Sequence, residues 1–70
     1  MKKIRVNGNE RAVEPGSTVE DLLHDLGLAD RGPSGLAVAV DRQVVPRSEY
    51  PTTPLDDGAQ VEILRAVGGG

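Results

Sequence analysis

One stretch of this 70-residue chain repeats its apolar residues at a helical spacing: Val19, Leu22, Leu23 and Leu26 fall at i, i+3, i+4 and i+7. So narrow a stripe must be covered by another element. The segments around it read as strands, so the sequence predicts a short helix laid on a sheet. Local signals fix its ends. Thr18 can cap the first turn through its hydroxyl, with Asp21 three residues on, where the helix dipole favours a carboxylate; Ser17 with Glu20 offers the same pattern one residue earlier. Gly27 suits the left-handed position that closes a helix.

The flanking segments carry strand and turn chemistry. Residues 2–6 (KKIRV) alternate polar and apolar, Asn7-Gly8 is a hairpin turn, and residues 11–14 (RAVE) form the return strand before Pro15-Gly16 breaks it. Beyond the helix, residues 29–35 (ADRGPSG) read as a loop. The nearly continuous apolar run of residues 36–40 (LAVAV) reads as a central strand. Asp41-Arg42 turns into a short strand over residues 43–45 that Pro46 ends, as suits a sheet edge. Residues 47–55, with Pro51 and Pro54, are expected to be irregular. Asp57-Gly58 then turns into a last strand over residues 60–67 that runs into Gly68-Gly69-Gly70. The order is ββαβββ, which predicts the α+β class and a β-grasp (ubiquitin-like) architecture, one mixed sheet packed on one main helix. A right-handed crossover through the helix is expected to set the third strand parallel to the first, with the last strand central. Residues 1–67 form the domain and 68–70 a flexible tail.

Length and composition narrow the function. Seventy residues are too few for the two-layer pockets of most enzymes, which favours a binding or carrier role. With no Phe, no Trp and one Tyr, the core is built from Val, Leu, Ile and Ala. A net charge of −3 and the lack of aromatics for base stacking argue against nucleic acid as a partner. The absence of cysteine excludes a disulfide, a thiolate metal site and side-chain sulfur chemistry. No apolar run approaches a membrane span and no signal-type apolar region follows Met1-Lys2-Lys3, so no membrane association and a cytoplasmic location are expected.

Most polar candidates reduce to surface chemistry. His24 is the only histidine and falls on the polar side of the helix, without a nucleophile or co-ligand. Asp56-Asp57-Gly58 lacks the spaced oxygens of a calcium loop and reads as a turn. Pro51-Thr52-Thr53-Pro54 reads as a loop, and Lys2, Lys3 and Arg5 as a solvated basic cluster. Two features remain. A glycine terminus has no Cβ to obstruct a narrow channel, and its α-carboxylate can itself be the reactive group. If Val61 and Ile63 point at the helix, alternation turns Leu64 to the other face, where it could anchor a partner.

Taken together, the pattern resembles the ThiS-type sulfur carrier proteins of thiamine thiazole synthesis, a ubiquitin-like β-grasp family. The resemblance spans nearly the whole chain. It rests on Asn7-Gly8, on Thr18-Val19 followed by Leu22-Leu23, and on Ala39-Val40-Asp41 leading to Val44-Val45-Pro46-Arg47. Asp57-Gly58 and the closing Gly69-Gly70 complete it. The Val-Pro-Arg segment and the glycine pair are its specific parts. Two positions depart from the pattern: Gly68 lengthens the pair, and Leu64 stands where a larger or aromatic apolar residue is expected on the partner face.

The resemblance implies a carrier rather than an enzyme, with no cofactor bound by this chain. A ThiF-type adenylyltransferase using ATP and Mg would adenylate the Gly70 carboxylate. Sulfur from a cysteine desulfurase or other persulfide donor would displace AMP. The thiocarboxylate would then deliver sulfur to a ThiG-type thiazole synthase. Gly68 and Gly69 would thread the partner's active site, with Leu64, Val67, Pro46 and Arg47 as docking residues. Extended at about 3.4 Å per residue, residues 67–70 would reach roughly 14 Å. The sequence leaves three alternatives open: a molybdopterin-synthase small-subunit-like or other pathway carrier, a ubiquitin-like protein modifier joined to lysine, and a non-covalent module whose tail is inert.

Overall fold

A two-residue turn sets the register of the first hairpin in the computed structural model, which describes residues 1–28 and 35–65. Asn7 and Gly8 both take positive φ, 51° and 85°. That twist matches the twist of the flanking strands. It pairs β1 (Lys2–Val6) directly with β2 (Asn9–Val13), Val6 opposite Asn9 and Lys2 opposite Val13. The return strand therefore begins two residues earlier than its alternation suggested, because the tight turn leaves no unpaired residues. Asp41 and Arg42, at φ 50° and 71°, make the equivalent turn between β3 (Leu36–Val40) and β4 (Gln43–Val45).

The helix α1 (Val19–Asp25) has the expected ends. The Thr18 hydroxyl accepts from the Asp21 backbone N–H at 3.3 Å, and an Asp21 carboxylate oxygen accepts from the Thr18 N–H at 2.9 Å, a reciprocal box. At the other end Gly27, at φ 74°, donates to the His24 carbonyl, and Leu28 donates to that of Leu23 at 2.8 Å. This is the Schellman pattern, and Leu28 is buried as its apolar closure.

The strands form one five-stranded sheet in the order β2-β1-β5-β3-β4, with β5 (Gln60–Arg65) parallel to β1 and antiparallel to β3. The last strand is central, as expected. The strand parallel to β1 is β5, however, and β3 runs antiparallel to β1. The reason lies in what the helix connects: it follows β2, so the strand to which it returns the chain runs parallel to β2, and β2 is itself antiparallel to β1. The segment expected to be irregular is partly ordered as a 3₁₀ helix (Arg47–Thr52) that packs on α1 and buries Tyr50. It is tied to the helix start, where Val19 donates to the Thr53 carbonyl and Leu55 to that of Ser17. The loop expected at residues 29–35 lies, apart from Gly35, outside the described residues.

Val19, Leu22 and Leu23 are buried against Ile4, Val38, Val61, Ile63 and Leu55, with Leu26 packed on the margin. The sheet thus has an inner face under α1 and an open outer face. A stripe of aliphatic side chains supplies most of the stabilisation, at about 25 cal/mol per Å² of apolar area removed from water.

One polar contact secures β5 from a distance. The Asn7 backbone N–H donates to the Val61 carbonyl at 2.9 Å, after which β1 turns away. The Asn7 side chain takes the place of the next peptide: Oδ1 accepts from the Ile63 N–H at 2.8 Å, and Nδ2 donates to the Ile63 carbonyl at 3.1 Å. Both backbone groups of Ile63 are thereby satisfied on the β1 side.

Two outcomes test this account. Leu22→Ala should destabilise the protein by about 2–5 kcal/mol, seen as a fall in the denaturant midpoint; an unmoved midpoint would contradict the burial of the stripe. Asn7→Gly keeps the positive φ accessible and removes only the side-chain clamp. It should cost about 1–3 kcal/mol and speed hydrogen exchange at the Ile63 amide, whereas parental protection there would show that the clamp does not hold the strand.

Candidate functional site

Strand alternation divides β5 into two rows. Val61 and Ile63 are buried against the helix side, while Gln60, Glu62 and Leu64 face out. Leu64 is 70% exposed, a large aliphatic side chain held on a central strand rather than on a loop. Its position was expected; its neighbours were not. The register places Ala37 opposite Leu64 and Ala39 opposite Glu62 on one side, and Ala39 opposite Val44 on the other. Val44 is 77% exposed.

The outer face therefore carries a shallow trough. Its floor is the pair of alanines on β3, and its walls are Leu64 and Glu62 from β5 and Val44 from β4. The trough follows from size: methyl groups on the middle strand stand lower than the larger side chains on either side. The alternation of LAVAV, with Val38 turned inward, was the signal that could have found it. Among the described residues Glu62 has no ion-pair partner, Lys2–Asp56 at 3.9 Å being the one pair within 4 Å.

The other expected docking residues are distributed around this face. Pro46 is exposed and caps the 3₁₀ helix immediately after β4. The register of Val45 with Val38 carries it to the level of Ala37 and Leu64, two strand spacings or about 10 Å from Leu64. Arg47 is exposed and opens the 3₁₀ helix. Neither lines the trough. Val67, Gly68, Gly69 and Gly70 lie outside the described residues.

Several contacts hold β5 in place beneath this face. The Asp57 carboxylate accepts from the Lys3 N–H at 2.8 Å, Gly58 donates to the Lys3 carbonyl at 2.7 Å, and the Asp41 carboxylate accepts from the Gln60 N–H at 3.0 Å. With the Asn7 clamp at Ile63, the strand is pinned at its start and near its end. Asp57 is thus a turn residue. His24 is exposed and, with Glu14, Asp21 and Asp25, borders an open polar cleft beside the connection from β2 to α1. Among the described residues no three His, Asp or Glu side chains gather as a metal site, and no helix is long and apolar enough to cross a membrane.

Comparison with known proteins bears on this arrangement directly. The sequence profile of the ThiS family matches residues 4–70. The sulfur carrier protein ThiS of Escherichia coli is 33% identical over 64 residues, covering 89% of this chain and 92% of that protein. Thiazole synthases of Paramagnetospirillum magneticum and Magnetococcus marinus are 40% and 38% identical over 97% of this chain, which spans one fifth of the length of each. Among solved structures, the crystal structure of a thiamine biosynthesis protein (ThiS) from Geobacter metallireducens superposes with a TM-score of 0.78. It is 30% identical, over 97% of this chain and 99% of that one. A β-grasp sheet with β5 at its centre, a ThiS profile spanning all but the first three residues and a sulfur carrier matched over most of both lengths lead to one conclusion: the chain belongs to the ThiS family.

Proposed function

We propose that this chain carries sulfur for thiazole formation in thiamine biosynthesis, as a thiocarboxylate on Gly70. The observation that carries this reading is the similarity to the E. coli sulfur carrier over nearly the full length of both, within a profile that runs to Gly70. The long relatives supply the receiving partner. In each, a segment like this chain forms part of a thiazole synthase, which fits delivery of sulfur to a ThiG-type synthase.

The chemistry follows from the groups available. A chain without cysteine has no side chain on which to hold transferable sulfur, which leaves a backbone carboxylate. The Gly70 carboxylate attacks the α-phosphorus of ATP on a ThiF-type adenylyltransferase, and pyrophosphate leaves. The acyl-adenylate carbonyl now bears a good leaving group. A persulfide from a cysteine desulfurase or other donor attacks that carbon, AMP departs, and a thiol cleaves the acyl disulfide by exchange to leave the thiocarboxylate. ATP and Mg belong to the activating partner. Persulfides and free thiols persist in a reducing compartment, so we place the cycle in the cytoplasm.

This chain's own contribution is position. The outer face gives Leu64 as a docking side chain a short distance from the tail, and Gly68, Gly69 and Gly70 present no Cβ to a narrow channel. Val67, Pro46 and Arg47 complete the docking set in this reading. The chain is a co-substrate rather than a catalyst.

Intact mass of the protein from its host tests the proposal: a fraction should show one oxygen replaced by sulfur. Adding one alanine after Gly70 moves the carboxylate by about 3.4 Å and sets a Cβ beside it. Misplacement near 1 Å can cost on the order of a hundredfold, so the extended protein should bind the adenylyltransferase yet support almost no ATP–pyrophosphate exchange. Exchange at the parental rate would overturn the assignment of Gly70. Leu64→Glu should leave the thermal midpoint nearly unchanged and weaken capture by the adenylyltransferase by about 2 kcal/mol; equal titration curves would remove Leu64 from the interface.

A further inference from the structure

We infer that the trough on the outer sheet face receives one arginine side chain of the adenylyltransferase, its methylenes over Ala37 and Ala39 and its guanidinium paired with Glu62. The inference rests on the sulfur-carrier reading and specifies how the activating partner is recognised.

The size of the trough limits the guest. It measures about 120 Å³, a little less than a cavity of about 150 Å³ that accommodates benzene. It has room for one side chain. The chemistry limits it further. Floor and walls are methyl and aliphatic groups from Ala37, Ala39, Val44 and Leu64, and the one charge on the rim is the Glu62 carboxylate. A guest with an apolar stem and a cationic end matches both, which leaves lysine and arginine. Arginine fits better because its planar guanidinium can meet a carboxylate through two parallel hydrogen bonds and sheds water more readily than an ammonium.

Glu62 sits on a central strand with alanine on its β3 side, and among the described residues no cation lies within 4 Å of its carboxylate. Exposed at the edge of the trough, this carboxylate is open to a partner that brings the counter-charge. The identity of that partner follows from the tail. Residues 66–70 span at most about 17 Å beyond Arg65. An enzyme that holds the Gly70 carboxylate in its active site must therefore come within that distance of the end of β5, where Leu64 forms one wall of the trough.

The test is ATP–pyrophosphate exchange by the purified adenylyltransferase of the same host at increasing carrier. Glu62→Gln keeps shape and fold but removes the charge. It should raise the KM for the carrier about tenfold with kcat unchanged, and flatten the rise of KM with salt seen in the parent. Glu62→Asp should recover part of the loss. Ala37→Leu fills the floor at an exposed position and should raise KM without lowering the thermal midpoint. Glu62→Gln at the parental KM and salt dependence, or a tolerated Ala37→Leu, would overturn the inference while leaving the carrier reading intact. A parent chain that never supports pyrophosphate exchange would overturn both.

Discussion

The insertion of β5 between β1 and β3 is the constraint on which the rest of this small domain depends. It closes the sheet, since the amino-terminal hairpin and the β3–β4 hairpin meet only through it. It supplies Val61 and Ile63 to the core and Leu64 and Glu62 to the open face. It is also the element that joins the folded body to the residues that follow. Much of its fastening is polar and specific rather than simply apolar. Asp57, Asp41 and Asn7 each place a side-chain oxygen on a backbone N–H that the regular ladder leaves unserved.

That arrangement reconciles two demands. A carrier needs an end that can enter another protein and a body that presents it reproducibly. A core that is aliphatic but for Tyr50 gives modest stability, so the strand bearing the tail cannot rely on burial alone. Side-chain clamps from three different turns supply the remaining definition. The open face is correspondingly free of structural duty, which leaves Leu64, Val44 and Glu62 available to be chosen for recognition.

What could be read from the sequence was what is local. The helix ends were legible because Thr18, Asp21 and Gly27 each have one favourable use at that spacing, and the buried row of β5 was legible from period-two alternation. Contacts across the chain were not. The Asn7 clamp joins residues 56 apart, and nothing near Asn7 announces a role beyond its turn. The direction of β3 was misread because the crossover was referred to β1 rather than to β2, the strand the helix actually follows. Tyr50 lay in a proline-containing stretch that looked irregular, and its burial depends on α1 arriving from elsewhere. On the functional side, Leu64 was legible by alternation, while the trough beside it needed the register that brings β3 and β4 alongside.

The placement of Tyr50 has an optical consequence. It is the chain's one aromatic residue, and it lies in the core on the helix side of the sheet, away from the outer face. Its ultraviolet absorption and emission therefore follow unfolding of the body and are shielded from events on the opposite surface. With no tryptophan in the carrier, any indole signal in a mixture comes from the other protein alone. Folding of the carrier alone can thus be followed at Tyr50, and association by the indole emission of a tryptophan-containing partner, without attaching a dye to either molecule.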